Sequence, residues 1–151
     1  MTDIACANHY VAYIINTSTH NTRWGRFAKM LCERFGYDQV SAMVTGSEGA
    51  DLACKIARRY KHEVKGVPAD QVLILGVSGN YHGLSSGVWN LSDSSPGRSA
   101  YGLDSTQHTN VNPSSGQLLR YGVLADMEEC LKEHHARVGA VIMESIRNTG
   151  K

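Results

Sequence analysis

The run Met43-Val-Thr-Gly-Ser-Glu-Gly-Ala-Asp-Leu-Ala-Cys-Lys-Ile-Ala-Arg-Arg-Tyr60 constrains this chain more than any other stretch. A short apolar segment enters a glycine-containing turn, and the turn opens onto an alanine-rich helix. Thr45 and Glu48 have the Thr-x-x-Glu spacing of a capping box, with Thr45 as N-cap and Glu48 at the third helical position. Such a turn leaves backbone N–H groups at a helix N-terminus, where the dipole favours an anion, above all a phosphate. Gly46 and Ser47 are therefore either a phosphate cradle or simply a tight strand-to-helix turn. The local pattern leaves both open.

The rest of the chain alternates in the same way. Trp24, Phe27, Ala28, Leu31 and Phe35 recur at the spacing of an amphipathic helix, and Gly36 supplies its stop. Val40–Val44 reads as a short strand. The helix after Thr45 runs through Tyr60 and turns Ala50, Ala53, Ala57 and Tyr60 to one side, so that it can sit close against a sheet. Val72–Val77 is a continuous apolar run of the kind that parallel sheets bury on both faces. A helix over Val123–Arg137 is expected to bury Leu124, Met127 and Leu131, and Val138–Met143 is the last strand. Strands separated by helices imply βαβ units. The expected fold class is α/β, a mostly parallel sheet flanked by helices.

Length and composition fit a single globular domain over residues 1–151, with 42% hydrophobic and 19% charged residues. Residues 92–117, rich in Ser, Pro, Gly and Asn, read as a long flexible loop. Fifteen basic residues face 14 acidic ones in mixed order, which argues against a nucleic-acid partner. The longest apolar run is far short of a membrane span, and the N-terminus lacks the pattern of a secretory signal. Cys6, Cys32, Cys54 and Cys130 are widely spaced with no Cys-x-x-Cys, as expected of reduced thiols. A cytoplasmic protein without a membrane partner is the expectation. Gly76-Val-Ser-Gly-Asn80 fails the Gly-x-Ser-x-Gly pattern of a serine hydrolase at its last position.

Asn80-Tyr-His-Gly83 adds a second landmark downstream of the first. Together they resemble the large domain of the class III pyridoxal-phosphate aminotransferases, the ornithine aminotransferase branch in particular. The resemblance runs from about Asn21 to Glu144, with four landmarks in the family's order. Arg23–Phe35 looks like the helix ahead of the first strand, and Thr45–Arg58 is similar to the phosphate-cup turn and its helix. Asn80-Tyr-His-Gly83 matches the position whose aromatic ring stacks on the pyridine ring of the cofactor. Val141-Ile-Met-Glu144 matches the strand whose terminal glutamate faces the cofactor site.

What the resemblance implies is a truncated fold-type I large domain and a pyridoxal 5′-phosphate site. Gly46 and Ser47 would hold the phosphate, Tyr81 would stack on the ring, and Glu144 would sit behind it. The resemblance also implies an aspartate pairing with the pyridine nitrogen on a strand after Glu144, and a Schiff-base lysine further on. The 151 residues match neither, and Ser145-Ile-Arg-Asn-Thr149 stands where the family usually reads Pro-Ile-Gln-Gly-Glu. The expectation is that this chain alone is not a transaminase and that the cofactor is weakly held or lost.

Each residue also has an ordinary alternative. Tyr81 is either a stacking ring or a half-buried loop tyrosine, and His82 either a base or a satisfied loop histidine. Glu144 is either a cleft carboxylate or a solvated strand end. Two further functions remain in view. One is a small enzyme that uses His82 and Glu144 for acid–base work without pyridoxal phosphate; the other is a non-catalytic binding or structural protein. The expected partners are a small amino-acid-like ligand and, to cover an exposed sheet flank, further copies of the chain in a dimer or higher homo-oligomer.

Overall fold

The structure, a computed structural model, describes residues 22–92, 101–102 and 105–148. The chain divides into two compact units, Met1–Val44 and Thr45–Lys151, where the sequence led us to expect a single domain. In the first unit helix α1 spans Thr22–Phe35. Gly36 ends it at φ 71°, and the Gly36 and Tyr37 N–H groups both reach the Cys32 carbonyl. Val40–Val44, expected as a strand, is irregular. Met43 and Val44 are exposed, and among the described residues no segment supplies the ladder that a strand needs.

The second unit opens with α2, Gly46–Glu63, followed by β1 at Leu73–Leu75, a single turn α3 at Ser86–Trp89 and β2 at His108–Thr109. Helix α4, Leu124–His134, then leads into β3, Val138–Val141. The sheet is parallel throughout, with order β2-β1-β3. Both long strand expectations were too long: the ladder covers only the middle of Val72–Val77 and the first part of Val138–Met143. Residues 108–109 add a strand inside the segment expected as a loop, while 93–100 and 103–104 lie outside the described residues.

The central strand is buried on both faces, and its side chains alternate between two cores. Leu73, Leu75 and Val77 pack with Leu119 and Cys130, against Met127 and Leu131 of α4. Ile74 points the other way and packs with Cys54, Val88 and Leu91, against Ala50 and Ala57 of α2. This is the period of two that a strand imposes, served by helices on both sides. Gly139 stands at the register irregularity between β1 and β3. A Cβ there would come within 3.1 Å of Val72 Cγ1 and 3.3 Å of the Ala57 carbonyl. The glycine and the alanines let helix and sheet approach.

The helix faces differ in detail from the expected stripes. On α2 the inner line is Ala50, Cys54 and Ala57, with Ala53 and Tyr60 exposed. On α4 Leu124 is exposed, and Asp126 and Cys130 are buried in its place. Burial pushes the Cys54 and Cys130 thiols above their ordinary pKa. Both are free thiols, as is Cys32. Among the described residues no helix is long and apolar enough to cross a membrane.

Asp126 is buried because it is paired. Both its oxygens take Arg120 guanidinium N–H groups at 2.7 Å, and Oδ2 also accepts the Arg120 backbone N–H at 3.0 Å. These donors lower the Asp126 pKa from 3.8 to about 2. A carboxyl depressed in the folded state contributes stability above its unfolded pKa and loses it as pH falls through the folded one. Wild type should therefore be more stable than Asp126→Asn at pH 5, and the difference should shrink between pH 3.8 and about 2. Urea midpoints of the two proteins across that range measure it; a constant difference counts against the pairing.

Candidate functional site

The five expected site residues, all in the second unit, come from three places that the fold brings to one end of the sheet. Gly46 and Ser47 open α2, Tyr81 and His82 follow β1, and Glu144 follows β3. The carboxyl ends of strands in open α/β sheets are where ligands bind. The capping box forms as its spacing predicts: Thr45 Oγ1 accepts the Glu48 N–H at 3.2 Å, and Glu48 Oε2 accepts the Thr45 N–H at 2.9 Å. The first intrahelical bond of the turn runs from Gly49 N–H to the Thr45 carbonyl. The Gly46 and Ser47 N–H groups stand ahead of it, at the positive end of the dipole. The Glu48 carboxylate shares that end and offsets part of its pull on an anion.

A belt of hydrogen bonds ties the three places together. Ser47 Oγ accepts the Leu84 N–H at 3.1 Å, and Ser85 Oγ donates to the Ser47 carbonyl at 3.4 Å. The Ser92 hydroxyl accepts the His82 N–H at 2.8 Å. Glu144 Oε2 accepts the Tyr81 N–H at 2.9 Å, while the Glu144 N–H donates to Asn80 Oδ1 at 2.5 Å. Beyond it, the Tyr121 hydroxyl donates to the Glu144 carbonyl at 3.1 Å, and the Arg147 guanidinium lies 5.0 Å from the Tyr121 ring centre.

The side chains within the belt differ in what they offer. Tyr81 is 45% exposed, so much of its ring is open to solvent. His82 is half-buried; its Nε2 is buried and makes no hydrogen bond. Burial lowers its pKa, and the Glu144 carboxylate pulls partly the other way. Asn80 is fully buried, and its Nδ2 has no partner among the described residues. Backbone donors at a helix N-terminus and an open aromatic ring fit a phosphorylated heteroaromatic ligand. Asn80, Ser92 and Tyr121 were not among the expected site residues. Asn80 directly precedes Tyr81 in the motif, but no pattern marks a buried asparagine.

Comparison with known proteins meets this geometry. The family described as aminotransferase class-III matches residues 4–150. This chain belongs to the class III aminotransferases. It is 34% identical over 131 residues to the ornithine aminotransferase of Schizosaccharomyces pombe, which covers 85% of this chain and 29% of that protein. It is 35% identical over 135 residues to the Saccharomyces cerevisiae ornithine aminotransferase, covering 85% and 30%. The crystal structure of the Toxoplasma gondii ornithine aminotransferase superposes with a TM-score of 0.74 at 28% identity, over 87% of this chain and 29% of that one. That protein holds PLP at partial occupancy at its active site. The class III chain described here thus spans about three tenths of the length of these relatives.

Proposed function

We propose that these residues form the phosphate- and ring-binding part of a pyridoxal-phosphate-dependent aminotransferase acting on ornithine or a similar ω-amino acid. The observation that carries this reading is the belt joining the α2 N-terminus to Tyr81 and Glu144 through Ser47, Leu84 and the two loop ends. Pyridoxal phosphate, when bound, supplies an electron sink for chemistry at the amino carbon of the substrate. The chain's own part is to bind and orient. The Gly46 and Ser47 N–H groups take the phosphate, Tyr81 offers its ring face to the pyridine ring, and Glu144 holds the Tyr81 backbone from behind.

These contacts by themselves are weak. A helix N-terminus contributes at most about 2 kcal/mol to an anion. An aromatic pair adds about 0.5–1.5 kcal/mol, against an association cost of about 4 kcal/mol or more. Of the described lysines, Lys55 is held by Asp51 at 2.9 Å, Lys61 reaches the His135 carbonyl, and Lys65 lies over Tyr60. None of these engages Tyr81 or Glu144. We therefore expect the purified 151-residue chain to bind pyridoxal phosphate only weakly and to show no transaminase turnover. Its visible spectrum with pyridoxal phosphate should show no band that borohydride reduces onto the protein. A stable band, reduced onto one specific lysine, would sink this expectation and make that lysine the covalent residue.

A second reading is favoured by His82 alone. Its imidazole has a buried Nε2 that makes no hydrogen bond among the described residues, and burial lowers its pKa while the Glu144 carboxylate raises it, a setting that suits a proton-exchanging group. In that case a small amino-acid-like ligand would be handled by His82 and Glu144 without pyridoxal phosphate, and His82→Gln would abolish the activity while leaving phosphate binding unchanged.

A further inference from the structure

We propose that Asn80 is a positioning residue, and that with Glu144 it forms a two-way clasp that sets where the Tyr81 ring stands. The proposal rests on the reading of Tyr81 as a ring-stacking residue. Asn80 and Tyr81 are neighbours in the loop after β1, and Glu144 lies just beyond β3. The two hydrogen bonds between these places run in opposite senses. The Asn80 side chain accepts from the Glu144 backbone at 2.5 Å, and the Glu144 side chain accepts from the Tyr81 backbone at 2.9 Å. Such a closed pair fixes both distance and rotation between loop and strand end, which a single bond does not.

The choice of asparagine has a physical reason. The acceptor for the Glu144 N–H is on a buried residue, next in sequence to the one whose N–H the Glu144 carboxylate takes. An aspartate there would add a second, like charge at that place, whereas an amide oxygen accepts without charge. The cost is visible: Asn80 is 1% exposed and its Nδ2 has no hydrogen-bond partner among the described residues. Leaving a buried donor unpaired is unfavourable, so a residue of no positional importance would be better apolar. Both Glu144 oxygens are likewise committed to the backbone, Oε2 to Tyr81 and Oε1 to the Asn148 N–H at 3.2 Å. Its carboxylate is arranged to hold, and the Tyr121 hydroxyl also holds the segment by the Glu144 carbonyl, with Arg147 over the Tyr121 ring.

Two probes separate the clasp from the phosphate cup: inorganic phosphate, which needs only the α2 N-terminus, and pyridoxal phosphate, which also needs the ring. Phosphorus NMR titration gives both affinities for the full chain, and proton NMR gives the ring-current shift of the pyridine protons over Tyr81. Asn80→Ala is expected to weaken pyridoxal phosphate about fivefold to tenfold, the scale of one lost hydrogen bond, and to abolish the ring-current shift. Phosphate affinity should stay within about twofold, since those contacts lie on α2. Tyr81→Ala should give the same loss, and the double variant no more. Equal weakening of both probes, or an intact ring-current shift in Asn80→Ala, overturns the clasp. If Asn80→Ala does not fold, Glu144→Ala and Glu144→Gln carry the test. The first should lose the shift and the second keep it, because the amide oxygen still accepts the Tyr81 N–H; the reverse overturns the proposal. A wild type that shows no ring-current shift at all overturns the stacking reading itself, and the clasp with it.

Discussion

Gly83→Ala is expected to cost about 2–5 kcal/mol of stability, from two sources that add. Gly83 has φ 111°, a region that residues with a Cβ rarely adopt. An added Cβ would also fall on the Ser47 side chain, 2.6 Å from its Cβ and 2.8 Å from its Cα. Neither partner has room to give. Ser47 lies in the first turn of α2, pinned by the capping box and by the Leu84 N–H, and the Gly83 carbonyl accepts the Ser92 hydroxyl at 3.1 Å. The close approach is what lets the Tyr81 loop lie on the helix N-terminus, so the substitution should also weaken phosphate binding. Urea denaturation would read the loss as a lower midpoint with an unchanged slope. Adding Ser47→Gly should relieve only the clash with the Ser47 side chain, leaving the 2.8 Å approach to the Cα of residue 47 and the backbone strain. A Gly83→Ala protein as stable as wild type would show that the loop does not sit on the helix.

Ile74→Ala is expected to cost about 2–5 kcal/mol, and Ile74→Val about 0.5–1.5 kcal/mol. Ile74 is fully buried on the central strand and is the β1 side chain that faces the core under α2. Its neighbours there are Cys54, Val88 and Leu91, with small alanines behind them. Small side chains cannot swing in to fill a void, and Gly139 already brings the α2 backbone as close as it can come. The cavity therefore stays open, and the cost belongs near the upper end. Val141→Ala, at a residue 40% exposed on the neighbouring strand, is the control and should cost far less. Comparable losses at the two sites would contradict the packing.

Much of this is legible in the sequence. The capping box at Thr45 and Glu48, the glycine stop at Gly36 and the apolar run around Leu73–Leu75 are local signals, each carried by spacing or residue type within one turn or strand. Alternating with helical stripes, they imply a mostly parallel α/β sheet; the family came from the resemblance carried by Arg23–Phe35, Thr45–Arg58, Asn80–Gly83 and Val141–Glu144. Of the five expected site residues, Ser47, Tyr81, His82 and Glu144 take part in the hydrogen bonds at that end of the sheet.

The misreadings share a cause. Val40–Val44 has strand-like residues, but a strand exists only where a neighbour completes its ladder, and none of the described residues does so. Residues 108–109 look unremarkable and become a strand because β1 offers them a partner at Ile74 and Leu75. Leu124 has the hydrophobicity for the core, yet Asp126 took the buried place because Arg120 satisfies its carboxylate.

Asn80 shows the same division at the site. The sequence by itself determined the elements, the helix N-terminus and which residue types stand near it, since these depend on chemistry a few residues apart. Only the tertiary structure decided that Asn80 and Glu144, 64 positions apart, hold one another, because a hydrogen bond depends on distance in space. The polar groups that the fold buries, and the partners it finds for them, are settled by packing rather than by pattern.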